Sequence, residues 1–175
     1  MRKLRMEELN RKSVDEFKKS EKNKVIAVLE NIRSAYNVGS VFRTADAFLI
    51  ESIYITGYTA RPPHKEISKT ALGAQDSVDW KYFESSRQAI EDLRRRDYKI
   101  FAVEQAMDGI LLENMNDLLI EKVAFIFGNE VSGVEQETIL YCDGCIEIPQ
   151  FGMKHSLNIS VAAGIVLWEA VKKLI

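Results

Sequence analysis

The chain has 175 residues, of which 46% are hydrophobic and 29% charged, and its formal net charge at pH 7 is −2. This length and balance are typical of one globular domain and exclude a wholly disordered chain. No run of about eighteen apolar residues is present, and residues 1–9 are charged, so we expect neither a membrane span nor a secretory signal. Cys142 and Cys145 cannot make a disulfide framework, which predicts a reducing, cytoplasmic location.

The charge is unevenly distributed along the chain. Residues 1–24 carry nine Lys or Arg against five Asp or Glu, whereas the remainder carries fifteen against twenty-one. A basic amino-terminal segment on an acidic body suits binding of a polyanion at one place. A solvated amphipathic helix explains the same charges, so both interpretations stay open.

The predicted elements alternate along the chain. Apolar residues at helical spacing predict a helix over residues 6–17, and a polar connector follows at 18–24. Short unbroken apolar runs predict strands buried on both faces at residues 25–29, 52–56, 100–103, 123–127 and 146–148. The intervening and final stretches predict helices at residues 38–49, 86–96, 134–141 and 157–174. This order predicts one α/β domain: a mostly parallel sheet with helices on both faces.

Residues 57–73 form the longest stretch without a regular pattern. The adjacent Pro62 and Pro63 exclude a regular helix at that point and favour extended backbone. Arg61, Lys65 and Lys69 suit a basic lid over a polyanionic substrate, although a solvated surface loop has the same composition.

Other short motifs are absent or weak. Neither G-x-G-x-x-G nor G-x-x-x-x-G-K-[ST] occurs, which disfavours a standard dinucleotide-binding domain. Cys142 and Cys145 form a C-x-x-C pair, but a zinc site would need two further ligands and the chain has only His64 and His155 besides carboxylates. We interpret the pair as part of a helix-to-strand turn capped at Gly144, and we expect no metal.

Three polar segments each directly follow, or begin within, a predicted strand: residues 30–45, 125–133 and 146–162. Asn37 can cap the helix after it, whereas Arg43 lies nearly two turns further on among apolar residues, where a solvated arginine is harder to explain. Because ligands bind at the carboxyl ends of strands in open α/β sheets, these segments predict one composite site.

The three segments resemble the three motifs of the SpoU (TrmH-type) RNA ribose methyltransferases of the knotted SPOUT superfamily. The first reads N-x-R-S-x-x-N-x-G-x-x-x-R-T-A from Asn31, the second G-N-E-x-x-G from Gly128, and the third I-P-x-x-G-x-x-x-S-L-N-x-S-x-A from Ile148. The similarity runs from about Val25 to the end, in the right order. The family often has Met where Gln150 stands, which should affect loop contacts more than the class of reaction.

The resemblance implies an α/β sheet whose carboxyl-terminal segment threads through a loop as a deep trefoil knot, which nothing in the composition predicts. It also implies S-adenosylmethionine as the cofactor, held by backbone groups of the second and third motifs. By position, Val103, Gly128, Ile148 and Leu157 should line the cofactor site. Members of the family are normally homodimers that bind RNA across both subunits.

The implied reaction is attack of a ribose 2′-hydroxyl on the sulfonium methyl group, and Arg43 matches the arginine to which the family assigns hydroxyl activation. Because a guanidinium pKa exceeds roughly 12, two versions stay open. Either an RNA phosphate helps to deprotonate Arg43, or cationic Arg43 stabilises the developing alkoxide. Asn37 and Glu130 should join the first two motifs, and Ser156 and Asn158 should orient the substrate. Helix capping is the alternative for Ser156, and a helix-start carboxylate is the alternative for Glu130.

By the same resemblance, residues 25–175 form the methyltransferase domain, and residues 1–24 form a basic helical extension. This extension is too short for the RNA-binding domain that many members carry, and the compact build resembles members that act on transfer RNA. Residues 1–24 and 61–69 are the expected RNA contacts. Ribosomal RNA, a non-catalytic RNA-binding role and methylation of a base are the alternatives, which product identity would separate.

Overall fold

The computed structural model describes residues 1–9, 12–118, 121–154 and 156–172. Within them the strands are β1 (Asn23–Glu30), β2 (Ile50–Thr56), β3 (Trp80–Phe83), β4 (Lys99–Val103), β5 (Ile110–Leu111), β6 (Val123–Phe127) and β7 (Gly144–Glu147). The helices are α1 (Val14–Lys19), α2 (Ala35–Ala47), α3 (Lys65–Ala71), α4 (Ala74–Ser77), α5 (Ser86–Arg95), α6 (Gln136–Leu140) and α7 (Ile159–Val171). Short 3-10 turns occupy Met6–Glu8 and Leu112–Leu118.

The seven strands form one sheet in the order β3-β2-β1-β6-β4-β7-β5, and every described strand pair is parallel. Alternate residues of β1 enter two separate cores, with Ala27 on one face and Val28 on the other. Helices α1 to α4 and α7 cover the first face, and α5 and α6 cover the second. The predicted α/β fold with a parallel sheet covered on both faces is therefore confirmed.

Several predicted elements differ from the structure. The stretch at residues 57–73 is not wholly irregular, because His64 caps α3 directly after the two prolines. Strands β3 and β5 were not predicted, since β3 is partly exposed at the sheet edge and β5 has only two residues. The helix expected over residues 6–17 is also wrong in its described part: a capping box between Ser13 and Glu16 starts a separate helix. Asn10 and Arg11, within that prediction, lie outside the described residues.

The amino-terminal segment buries the side chain of Phe17 against the body of the protein. Phe17 of α1 is buried in the same core as α2 and α7, and β1 already begins at Asn23. Within the described residues, no helix combines the length and apolar character needed to cross a membrane.

Candidate active site

Four neighbouring strands, β1, β6, β4 and β7, end at the same edge of the sheet, and the loops after the last three surround one pocket. The pocket is lined by Val103, Glu104, Gln105, Phe127, Gly128, Gly133, Ile148, Gln150, Ser156, Leu157, Ile159 and Ala162. It thus includes all four residues that were predicted to line a cofactor site, together with Ser156. Part of the lining is apolar. The polar groups are the carboxylate of Glu104, the side-chain amides of Gln105 and Gln150, and the hydroxyl of Ser156.

Close backbone packing shapes the pocket at the second motif. A Cβ atom on Gly128 would overlap the backbone of Gly133 and Val134, so a glycine is required there. Asn129 and Gly133 exchange backbone hydrogen bonds of 3.0 and 2.9 Å, which close a tight turn, and Gly133 adopts a φ of +71°. The turn brings the backbone on either side of the motif together at the pocket.

Two carboxylates that sequence reasoning did not single out hold the chain just after this turn. Glu104, which follows β4, accepts a hydrogen bond of 3.1 Å from the N–H of Val134. Glu30, buried at the end of β1, accepts one of 2.9 Å from the N–H of Glu135 and another from the Thr138 hydroxyl. Their position at strand ends was the available signal, because a carboxylate directly after a buried strand faces the edge where ligands bind.

A second cluster beside the pocket joins the three motif segments. Glu130 accepts hydrogen bonds from the N–H groups of Arg33 (2.9 Å) and Ser34 (3.2 Å) and from Asn37 Nδ2 (2.9 Å). Asn158 Nδ2 donates to Asn37 Oδ1 at 3.2 Å. The expected hydrogen bond between Asn37 and Glu130 is present, and Asn37 links the second motif to the third.

The Glu130 carboxylate is held in its ionised form. Partial burial alone would raise its pKa, but the hydrogen bonds from Arg33, Asn37 and Ser34 outweigh that effect and lower the pKa. The charge also lies at the amino terminus of α2, where the helix dipole favours an anion.

Helix caps differ from the sequence interpretation. Ser34, not Asn37, caps α2, and its hydroxyl accepts the N–H of Asn37 at 3.4 Å. Asn158, not Ser156, caps α7 by accepting the N–H of Ser160 at 2.9 Å. Because Asn37 lies in the first turn of its helix, its side chain is free to bridge Glu130 and Asn158.

Arg43 lies apart from the pocket. It is exposed on α2, and its side chain makes no hydrogen bond or ion pair with any residue in the described part of the chain. It borders two open grooves: one contains Lys12 and Phe17 of the amino-terminal region, and the other contains Lys69 of α3 and Ser160 of α7. From the sequence pattern, a solvated arginine at this position of the helix was hard to explain, but the Arg43 side chain is solvated in the structure.

Only Cys142 of the C-x-x-C pair lies in the turn after α6; Gly144, which we expected to cap this turn, begins β7, and Cys145 is the second residue of that strand. Burial raises the pKa of the Cys142 thiol to about 12, which keeps it protonated, and burial also raises the pKa of Cys145. Cys142 Sγ donates to the Thr138 carbonyl at 3.3 Å. Among the described residues, no group of three or more His, Cys, Asp and Glu could hold a metal ion.

An open parallel sheet with a partly apolar pocket at its carboxyl edge defines an α/β protein built to hold a small cofactor between loops. The sequence model of the SpoU rRNA Methylase family matches residues 24–168, and the chain belongs to this family.

Relatives with named activities act on two kinds of RNA. The chain is 27% identical over 166 residues to the tRNA (guanosine(18)-2′-O)-methyltransferase of Thermus thermophilus, an alignment covering 95% of this chain and 84% of the relative. It is 30% identical over 146 residues to the 23S rRNA (guanosine-2′-O-)-methyltransferase RlmB of Neisseria meningitidis, covering 83% of this chain but 57% of the relative. The chain therefore spans little more than half of the ribosomal RNA enzyme.

A solved structure has the same fold. The AdoMet-bound rRNA methyltransferase from Sinorhizobium meliloti superposes with a TM-score of 0.78 at 26% identity, covering 89% of this chain and 58% of that one. The sequence-based recognition of the family is thus confirmed.

Proposed function

We propose that this protein transfers the methyl group of S-adenosylmethionine to a ribose 2′-hydroxyl of RNA, with transfer RNA as the substrate. The observation that carries the proposal is the junction of the three motif segments. Asn37 hydrogen-bonds to both Glu130 and Asn158 beside a pocket that the second and third of these segments help to form. Family membership and the named activities of the relatives agree with it.

The pocket residues fit S-adenosylmethionine. Val103, Ile148 and Leu157 offer an apolar wall for a purine ring, while Glu104 and Ser156 offer polar groups to a ligand that is cationic at sulfur and nitrogen. The bound cofactor supplies an electrophilic methyl group, so the protein has to position the hydroxyl and manage its proton.

Arg43 is the residue we assign to the ribose hydroxyl. Its exposed guanidinium has no hydrogen-bonded or ion-paired partner among the described residues and is therefore available to an RNA ribose or phosphate, with Lys69 in the same groove. It either stabilises the developing alkoxide as a cation or passes on the hydroxyl proton with help from a phosphate. Ser156 and Asn158 orient the RNA, and Asn37 and Glu130 position the segments that hold them.

We take transfer RNA as the substrate because the transfer RNA methyltransferase of Thermus thermophilus aligns with this chain over 166 residues, which cover 95% of this chain and 84% of the relative. Residues 1–24 then act as a basic extension that contacts RNA, and residues 25–175 form the catalytic domain. A cytoplasmic location follows from this substrate.

We also assign the protein as a homodimer with a carboxyl-terminal trefoil knot. Two observations support a dimer: Arg43 does not line the cofactor pocket, and α7 exposes a stripe of Val161, Ile165 and Trp168 beside the Arg43 groove. The knot is supported by family membership, because it was expected from the resemblance to this family.

The test is mass spectrometry of nucleosides from unmodified transfer RNA and ribosomal RNA pools, each incubated with the protein and methyl-labelled S-adenosylmethionine. Labelled 2′-O-methyl nucleoside from transfer RNA is the expected product. Label in ribosomal RNA alone would contradict the substrate, label on a base would contradict the reaction, and no label despite measured cofactor binding would favour a binding-only role.

A further inference from the structure

We propose that the turn at residues 57–61 carries a stacking platform for an unpaired nucleobase of the substrate RNA. The platform consists of Tyr58 and of the stacked pair Arg61 and Tyr82. This inference rests on the proposed function and specifies how the RNA is held.

The ring of Tyr58 is exposed, while hydrogen bonds hold its hydroxyl and its backbone. Its side chain is 64% exposed, yet its hydroxyl accepts a hydrogen bond of 2.7 Å from Asn129 Nδ2 and its backbone N–H donates to Asn31 Oδ1 at 3.3 Å. The next residue, Thr59, is buried, and its hydroxyl accepts from the Ile32 N–H at 2.8 Å and donates to the Leu29 carbonyl at 3.1 Å. A large aromatic face is therefore presented to solvent without conformational freedom, which suits binding of a flat partner.

Arg61 and Tyr82 extend the same surface. The guanidinium carbon of Arg61 lies 3.9 Å from the centroid of the Tyr82 ring, and the Tyr82 hydroxyl donates to the Gly57 carbonyl at 3.0 Å. Both side chains are exposed, and Arg61 makes no hydrogen bond or ion pair with a described residue. A guanidinium in contact with the face of a ring adds a cationic group to the kind of surface on which bases stack.

The position and charge of this surface indicate RNA. Asn129, which holds Tyr58, lies between Gly128 of the cofactor pocket and Glu130 of the motif cluster. Residues 57–73 carry three cations and one carboxylate, a balance that complements a phosphate backbone. Because bases inside a duplex have no free face, the ligand that fits is an unpaired nucleotide close to the methylated one.

The experiment compares binding of fluorescent oligoadenylate with binding of a blunt RNA duplex of the same length, over a series of salt concentrations. Tyr58→Ala should weaken binding of the single strand on the order of tenfold, with no change in salt dependence, because stacking releases no counterions. Tyr58→Phe keeps the ring, and its affinity for the single strand should stay within about twofold of that of the original protein.

Arg61→Ala should weaken binding of the single strand and lower the slope of its salt dependence by about one. Leu140→Ala, which trims a 75% exposed apolar residue on α6, is the control.

Two results would overturn the platform: unchanged single-strand binding by Tyr58→Ala, or an equal loss for single strand and duplex. Calorimetric titration of each variant with S-adenosylmethionine shows whether the cofactor pocket has been disturbed, and a loss of cofactor binding in Tyr58→Phe would assign Tyr58 a structural role instead. Tyr58-dependent binding by a protein that transfers no methyl group to any RNA would refute the proposed function and leave the platform standing.

Discussion

A single carboxylate, that of Glu130, gathers three donors from the first motif. Two of them are the backbone N–H groups of Arg33 and Ser34, just before α2, and the third is the side chain of Asn37, so the position of the first motif depends on one ionised group. Hydrogen bonds to a charged acceptor are stronger than neutral ones, and the arrangement also gives a partner to the N–H of Ser34, which the start of the helix leaves unpaired.

Glu130→Gln is the substitution that tests this arrangement. The glutamine has nearly the same shape, but its NH₂ group cannot accept a hydrogen bond, so at least one donor loses its partner. We expect unfolding free energy to fall by about 1–2 kcal/mol and methyl transfer to fall at least about tenfold. Denaturant unfolding and labelled-methyl transfer measure these effects, and Glu137→Gln on the exposed face of α6 is the matched control.

The difference in unfolding free energy between the original protein and Glu130→Gln should depend on pH in one direction. The folded-state pKa of Glu130 is lowered from its ordinary value of 4.5, so its contribution to stability is present above about pH 4.5 and is lost as the pH falls through the folded-state pKa. The stability difference between the original protein and Glu130→Gln should therefore shrink on acidification. A difference that stays constant or grows would show that the carboxylate charge is not what holds the motif.

Replacement of Arg43 is expected to affect catalysis without affecting folding. It is exposed, does not line the cofactor pocket and makes no hydrogen bond or ion pair with a described residue, so its replacement should leave thermal stability and cofactor affinity unchanged. Arg43→Lys keeps a positive charge but loses the planar array of donors, and we expect methyl transfer to fall by roughly 10²–10³. Calorimetry with S-adenosylmethionine checks that cofactor affinity is unchanged, and single-turnover assays measure the loss of methyl transfer. Full activity of Arg43→Lys would contradict both versions of the mechanism.

At the scale of elements, burial decided what could be predicted. Strand β6 coincides with its prediction. An unbroken apolar run is buried on both faces when it forms a central strand of a sheet that is covered by helices on both sides. Strand β3 escaped notice because its middle residues are exposed, and α3 because the two prolines precede the helix rather than interrupt it.

The candidate site was predictable to a similar extent. Its three motif segments follow strand ends, which the apolar runs indicate directly. Glu104 and Tyr58 belong to no periodic pattern, and their importance arises only from the partners that folding brings to them, Val134 and Asn129. Sequence reasoning recovers such residues only when a known motif contains them.

Gly128→Ala tests the close packing in the second motif. The added methyl group would overlap the backbone of Gly133 and Val134, neither of which can move without breaking the hydrogen bonds of the turn. We expect a loss of about 1–3 kcal/mol in unfolding free energy and a large loss of cofactor affinity, measured by thermal unfolding and calorimetry. Gly152→Ala, where a Cβ would meet nothing within 4 Å, is the control. Normal cofactor binding by Gly128→Ala would mean that the pocket tolerates a wider turn.

On the scale of the whole molecule, α7 is apolar on its outer face as well as on its inner face. Its inner face, which includes Ala163, Val166 and Leu167, is fully buried in the core. Its outer face carries Val161 and Ile165, exposed by 51% and 38%, and Trp168, which leans on Phe48 with 5.7 Å between ring centroids. The spacing of four and three residues places them on one stripe, and a helix that is apolar all round is usually covered on every side.

We expect a second copy of the chain to cover this stripe, because a symmetric contact can bring an Arg43 side chain of one subunit towards the cofactor pocket of the other. Val161→Glu, at an exposed position, should leave the subunit folded but convert the protein from dimer to monomer in sedimentation velocity. Methyl transfer should fall at least about tenfold while cofactor binding persists, since only the shared part of the site is lost. Leu140→Glu introduces the same charge at an exposed apolar position on α6 and should stay dimeric and active. A dimer that survives Val161→Glu would move the interface to another surface, and an original protein that is monomeric while fully active would refute a shared site.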